Sequence, residues 1–135
     1  MHNPEKIIKK INILVVDDME TMRSMVNSCL KELGAERVLM ECNGESAWKA
    51  LKSTRIDLII CDWDMPELSG LELLNRIRGS ERHSHIPFLM LTASTEKEKV
   101  TSAVKAGVND YLAKPFQPKE LEYRIIKLLR KVKIG

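Results

Sequence analysis

Asp57-Leu58-Ile59-Ile60-Cys61-Asp62-Trp63-Asp64-Met65-Pro66 is the stretch on which the fold turns. It is an apolar run of strand length that ends in carboxylates. Pro66 disfavours helical geometry at Met65, so the chain turns there. A strand that is apolar on both faces belongs inside a parallel sheet. Ligands of such sheets bind just beyond the carboxyl ends of the strands. Asp62 therefore stands where an α/β sheet does its chemistry.

The flanks repeat the theme. Upstream, Ile11 to Val16 reads as a buried strand and stops at Asp17-Asp18. Met22, Met25, Val26, Cys29, Leu30 and Leu33 follow at helical spacing, and Gly34 ends that helix. Val38 to Met40 is a short second strand. Asn43-Gly44 is a turn signal, and Ala47, Ala50 and Leu51 mark a second helix.

Downstream, Ser69-Gly70-Leu71-Glu72 has the capping-box pattern and opens a third helix with Leu74 and Ile77 inward, closed by Gly79. A polar loop, Ser80 to His85, leads to a fourth strand from Ile86 to Leu91 that ends at Thr92. Thr95 and Glu98 form another capping-box pair before Val100, Ala103 and Val104, and Gly107 ends that helix. Tyr111 to Ala113 is a fifth strand ending at Lys114-Pro115. Pro118 suits the first turn of a last helix with Leu121, Ile125, Leu128 and Val132 inward.

Strand and helix thus alternate five times. That pattern predicts an α/β fold, a doubly wound (βα)5 parallel five-stranded sheet. The flavodoxin-like strand order 2-1-3-4-5 suits it. Residues 11–133 read as one domain, residues 1–10 as an N-terminal leader, and no stretch reads as an output domain.

The chain has 135 residues, enough for one domain with a real core. Its 44% hydrophobic and 30% charged residues describe an ordinary soluble protein. No apolar run approaches the roughly 18 residues of a membrane span, and Met1 to Lys10 lacks the apolar region of a secretory signal. Cys29, Cys42 and Cys61 form no CxxC pair, which fits a reducing, cytoplasmic setting. A net charge of +3 does not argue for nucleic acid. Its cations gather at the chain ends (Lys6, Lys9 and Lys10, then Lys127, Arg130, Lys131 and Lys133), as solvated faces and helix C-termini favour.

In the predicted topology the polar strand ends converge. Asp17 and Asp18 come from the first strand, Asp62 and Asp64 from the third, Thr92 from the fourth and Lys114 from the fifth. Four carboxylates repel one another, and one lysine leaves three negative charges uncompensated. An oxygen-only ligand set of this kind suits Mg²⁺, with Mn²⁺ as a substitute. The cation and Lys114 could neutralise a transferring phosphoryl group, and a threonine hydroxyl could donate to one of its oxygens.

These motifs resemble the response-regulator receiver family, and within it the single-domain chemotaxis regulators. The resemblance runs from Ile11 to Leu129. It rests on Asp17-Asp18, Asp62-Trp63-Asp64-Met65-Pro66, Gly70 to Leu74, Thr92-Ala93, Tyr111 and Lys114-Pro115-Phe116. The resemblance implies that Asp62 is the phosphoacceptor. It implies that Asp18, Asp62 and the backbone carbonyl of Asp64 hold Mg²⁺, with Asp17 acting through water. Thr92, Ala93 and Lys114 would bind the phosphoryl group, and Lys114-Pro115 would be a cis peptide. Thr92 and Tyr111 would form a switch that alters the face made by the fourth helix, fifth strand and fifth helix.

The implied partners are a CheA-like sensor histidine kinase, a downstream protein such as the flagellar motor switch or another regulator, and a phosphatase. Neither nucleic acid nor membrane insertion is implied, and the chain is expected to be a monomer that performs only self-directed phosphotransfer and autodephosphorylation. Asp64 and Ser94 stand where the chemotaxis subgroup often has asparagine and an acidic residue, which bears on dephosphorylation.

Single residues have plainer readings. Asp17-Asp18 alone reads as a helix N-cap, Asp62 as a strand-end turn residue, and Tyr111 as a half-buried packing residue. Trp63 could cover the site edge, Trp48 and the first-helix methionines read as packing, and His83 and His85 receive no role. Three other functions share parts of this pattern. A phosphorelay intermediate uses the same site. An aspartyl-phosphate phosphohydrolase shares the Asp62-Trp63-Asp64 spacing but needs a cap insertion. A flavodoxin needs a hydroxyl- and glycine-rich loop that Met19 to Met22 does not supply.

Overall fold

The computed structural model describes residues 3–93 and 97–133. In chain order the elements are α1 (Pro4–Lys10), β1 (Asn12–Val16), α2 (Glu20–Glu32), β2 (Arg37–Glu41), α3 (Gly44–Ser53), β3 (Leu58–Asp62), α4 (Gly70–Arg78), β4 (Phe88–Thr92), α5 (Lys97–Ala106), β5 (Asp110–Ala113) and α6 (Pro118–Leu129). All four strand pairings are parallel, and the order is β2-β1-β3-β4-β5. The expected sheet and order are therefore present.

The period of two along each strand divides the core. Ile13, Val15, Leu58, Ile60, Leu89, Leu91 and Leu112 face α1, α2 and α6. Leu14, Val16, Ile59, Cys61, Phe88 and Met90 face α3, α4 and α5. Both β3 and β4 are buried along their whole length, as strands covered on both faces must be.

Local signals behave as their chemistry dictates. Ser69 and Glu72 form a reciprocal capping box on α4. Gly34 and Gly107 adopt φ of +104° and +93° at helix ends, where a Cβ would be strained. Asn43 does more than turn the chain: its side chain caps α3 by accepting from the Ser46 amide at 2.8 Å. Thr95, the expected cap of α5, and Ser94 lie outside the described residues.

Residues 4–10, read from sequence as part of a leader, form α1. Asn3 caps it, and Ile7 and Ile8 are buried against the cluster that includes α2 and α6. The sequence signal was there in Ile7, Ile8 and Ile11, but seven residues are too few for a periodic pattern to stand out. The described residues thus form six helices, and the fourth and fifth helices of the sequence reading are α5 and α6.

Candidate phosphoryl and metal site

Strand register assembles the site. Val16 pairs with Cys61, so the next residues, Asp17 and Asp62, leave the sheet side by side. The ladder continues past the strand ends: Asp17 N–H donates to Glu41 O, Trp63 N–H to Leu91 O, and Lys114 N–H to Thr92 O at 2.7 Å. Each site residue is thus anchored by its own backbone to a neighbouring strand. Gly70 N–H donates to Trp63 O, and a Cβ at Gly70 would collide with the Asp62 carbonyl oxygen. Only glycine lets α4 start this close to the end of β3.

Asp17, Asp18 and Asp62 bring carboxylate oxygens within 4.8 Å of one another. Asp17 and Asp62 are buried and Asp18 is exposed. Lys114 reaches into the cluster, its Nζ 2.9 Å from Asp62 Oδ1 and 3.2 Å from Asp17 Oδ2. The other Asp17 oxygen accepts from the Met19 amide at 2.9 Å. Asp17 therefore braces the loop before α2; Met19 is the cap position of that helix and offers no side-chain bond. Among the described residues no hydrogen bond reaches Asp62 Oδ2.

The electrostatics follow from burial. Burial pushes the Asp62 carboxyl above its ordinary pKa, against the hydrogen bond from Lys114, and the charges of Asp17 and Asp18 add to the rise. Burial alone would lower the Lys114 ammonium, but the hydrogen bond to Asp62 and the fields of Asp17 and Asp62 outweigh it and raise its pKa. Three carboxylates against one ammonium leave a pocket that favours a cation. An all-oxygen donor set with one exposed member fits a hydrated Mg²⁺.

Thr92 is fully buried at the end of β4. Tyr111 in β5 is half-buried and hydrogen-bonded with Thr92; burial raises its phenol pKa and that bond lowers it. Ala93 is exposed at the mouth. The Lys114-Pro115 peptide is cis.

Asp64 differs from the simplest reading of the sequence. Its side chain is 61% exposed and lies 3.7 Å from Lys99 Nζ, outside the three-carboxylate cluster. The same ammonium sits 5.5 Å from the centroid of the Trp63 ring. Nothing in the sequence spacing places Lys99 at the site. His83, given no role from sequence, is buried between Ser80 Oγ and the Leu51 carbonyl, a packing position.

Residues 13–126 match the response regulator receiver domain family. The chain belongs to that family. The receiver is 37% identical over 122 residues to the chemotaxis protein CheY of Pseudomonas aeruginosa, covering 90% of this chain and 98% of that one. It is 40% identical over 116 residues to the chemotaxis protein CheY1 of Helicobacter pylori, with 85% and 94% covered. A solved receiver domain of a sensor histidine kinase from Pseudomonas aeruginosa, with magnesium coordinated in its active-site cleft, superposes with a TM-score of 0.80 at 31% identity over 89% of this chain and 98% of that one. The receiver's α1 lies before the first residue matched to the family. Among the described residues no helix is long and apolar enough to cross a membrane.

Proposed function

We propose that this receiver takes a phosphoryl group onto Asp62 Oδ2 from a phosphohistidine of a sensor kinase or from a small acyl phosphate. The observation that carries the reading is the asymmetry of Asp62: Lys114 engages Oδ1, while Oδ2 has no described partner. The new O–P bond forms as the donor's P–N or P–O bond breaks, and the electron pair leaves with the imidazole or carboxylate. Mg²⁺, when bound, supplies positive charge to the transferring group.

Asp18 and Asp62 would hold the metal directly, with the backbone carbonyl of Asp64. Both oxygens of Asp17 already accept hydrogen bonds from protein donors, which favours contact through water. Thr92 and Lys114 would each turn a donor to phosphoryl oxygens, beside Ala93. Thr92 has one hydroxyl proton, so binding phosphoryl competes with its bond to Tyr111. That competition would alter the α5-β5-α6 face and its affinity for a downstream protein. The setting is cytoplasmic signalling of the chemotaxis type, with a motor switch or another regulator as target.

The outward direction of Asp64 counts against a phosphohydrolase, which would need that second carboxylate in the site. The likeness to a sensor-kinase receiver favours one variant, a relay that returns the phosphoryl group to a second histidine protein. Incubation with radiolabelled acetyl phosphate and Mg²⁺ tests the proposal. Label should be acid-stable, alkali-labile and absent from Asp62→Asn. An equally labelled Asp62→Asn protein would refute it, and transfer of label to an added histidine phosphotransfer domain would select the relay.

A further inference from the structure

Lys99 is bound to the site on two sides. It lies in the first turn of α5, yet its ammonium reaches Asp64 at 3.7 Å and caps the Trp63 ring at 5.5 Å. Trp63 itself is fixed: it is 7% exposed, and its backbone N–H and C=O are bonded to Leu91 and Gly70. Asp64 is the next residue, and its carboxylate faces Lys99 on α5 and is not part of the cluster of Asp17, Asp18 and Asp62. A fourth carboxylate in the cluster would strengthen its attraction for a divalent cation and its repulsion of a phosphoryl dianion.

We propose that Lys99 is a positioning residue: by pairing with Asp64 and capping Trp63, it keeps the Asp64 carboxylate out of the cluster and so sets the site's cation affinity. The proposal rests on the reading of the cluster as a Mg²⁺ site. It gives α5 a direct hold on the loop that follows Asp62, independent of Thr92 and Tyr111. The ion pair is partly exposed, so its effect is a matter of several-fold rather than of all or none.

The test uses a Trp48→Phe background, in which Trp63 is the remaining tryptophan. Mg²⁺ affinity is read from the midpoint of the Trp63 emission change and checked by the Mg²⁺-dependent shift in Tm. Lys99→Ala should tighten Mg²⁺ about two- to fivefold, while Lys99→Arg stays at the parent value. In Asp64→Asn, adding Lys99→Ala should change nothing, because no carboxylate is left to release. Acrylamide quenching of Trp63 without metal should rise in Lys99→Ala.

Parent-like Mg²⁺ affinity in Lys99→Ala would overturn the proposal, as would the same tightening in the Asp64→Asn background. Asp18→Asn separates the two levels of argument. If it fails to weaken Mg²⁺ binding, the cluster is not the metal site and both readings fall; if it weakens binding and Lys99→Ala has no effect, only the role of Lys99 is lost.

Discussion

Asp62 is held in a state that works against the fold. Burial raises its pKa, so the folded protein favours the protonated form, whereas above that pKa the ionised form is forced into a crowded carboxylate cluster. The sign follows: the group's stabilising contribution is full below the ordinary carboxylate pKa of about 4 and is lost as pH rises through the folded value. Asp62→Asn should therefore be more stable than the parent at pH 7 by about 1 kcal/mol, a Tm increase of roughly 3–5 °C for a chain this long. The gain should fade as pH falls toward 4 in a pH series of thermal melts; a gain that persists unchanged in acid would place its cause elsewhere. Site residues at strand ends were legible in the sequence because a ladder fixes where a strand's last residue points. Asp64 was not, because it lies beyond the ladder and its side chain pairs with Lys99, a residue 35 positions away on another element.

Elements are joined by side chains whose roles no periodicity discloses. Arg78, the last residue of α4, donates to Gly107 O at 2.9 Å, Ser84 O at 3.1 Å, Ile86 O at 2.7 Å and Asn109 Oδ1 at 2.7 Å. Burial lowers its guanidinium pKa. One residue thereby ties α4 to the loop before β4 and to the loop after α5. Arg78→Ala would remove all four hydrogen bonds, two of them part-buried, and should cost about 1–3 kcal/mol in a urea melt; a loss below about 0.5 kcal/mol would mean that water replaces it freely. Removal of residues 1–10 tests α1. Ile7 and Ile8 are 4% and 1% exposed, so their loss, less the cost of ordering the helix, should lower stability by about 2–3 kcal/mol while leaving the Mg²⁺ response of Trp63 intact. Unchanged stability would show that α1 lies outside the cooperative unit. The helices with long amphipathic stretches were legible from sequence; α1 was not, since its burial depends on a groove that only the folded α2 and α6 create.

At the scale of the molecule, fold and function share one edge of the sheet. Strand order and parallel pairing were readable because β3 and β4 are apolar on both faces and the connections alternate with helices. That order puts β1 and β3 side by side in the sheet and brings their carboxylates together without a dedicated scaffold. A cation that binds the folded cluster and not the unfolded chain should stabilise the whole domain. At a free Mg²⁺ concentration of 100 times Kd the gain is about 2.7 kcal/mol, or roughly 10 °C in Tm. The shift should vanish with EDTA and in Asp18→Asn. No shift in the parent protein would argue against a metal site in the cluster.

The span between Lys114 and its two carboxylates has a consequence for biosynthesis. Lys114 follows Asp62 by 52 positions and Asp17 by 97. A ribosome therefore delivers both acids well before the base that neutralises them. A nascent chain that has paired β1 with β3 carries converging carboxylates with no ammonium between them, and their repulsion works against closing that edge early. If the cluster takes up the Mg²⁺ proposed for it, that ion would fill the counter-ion position until β5 emerges, and so act first as an assembly aid for the growing chain.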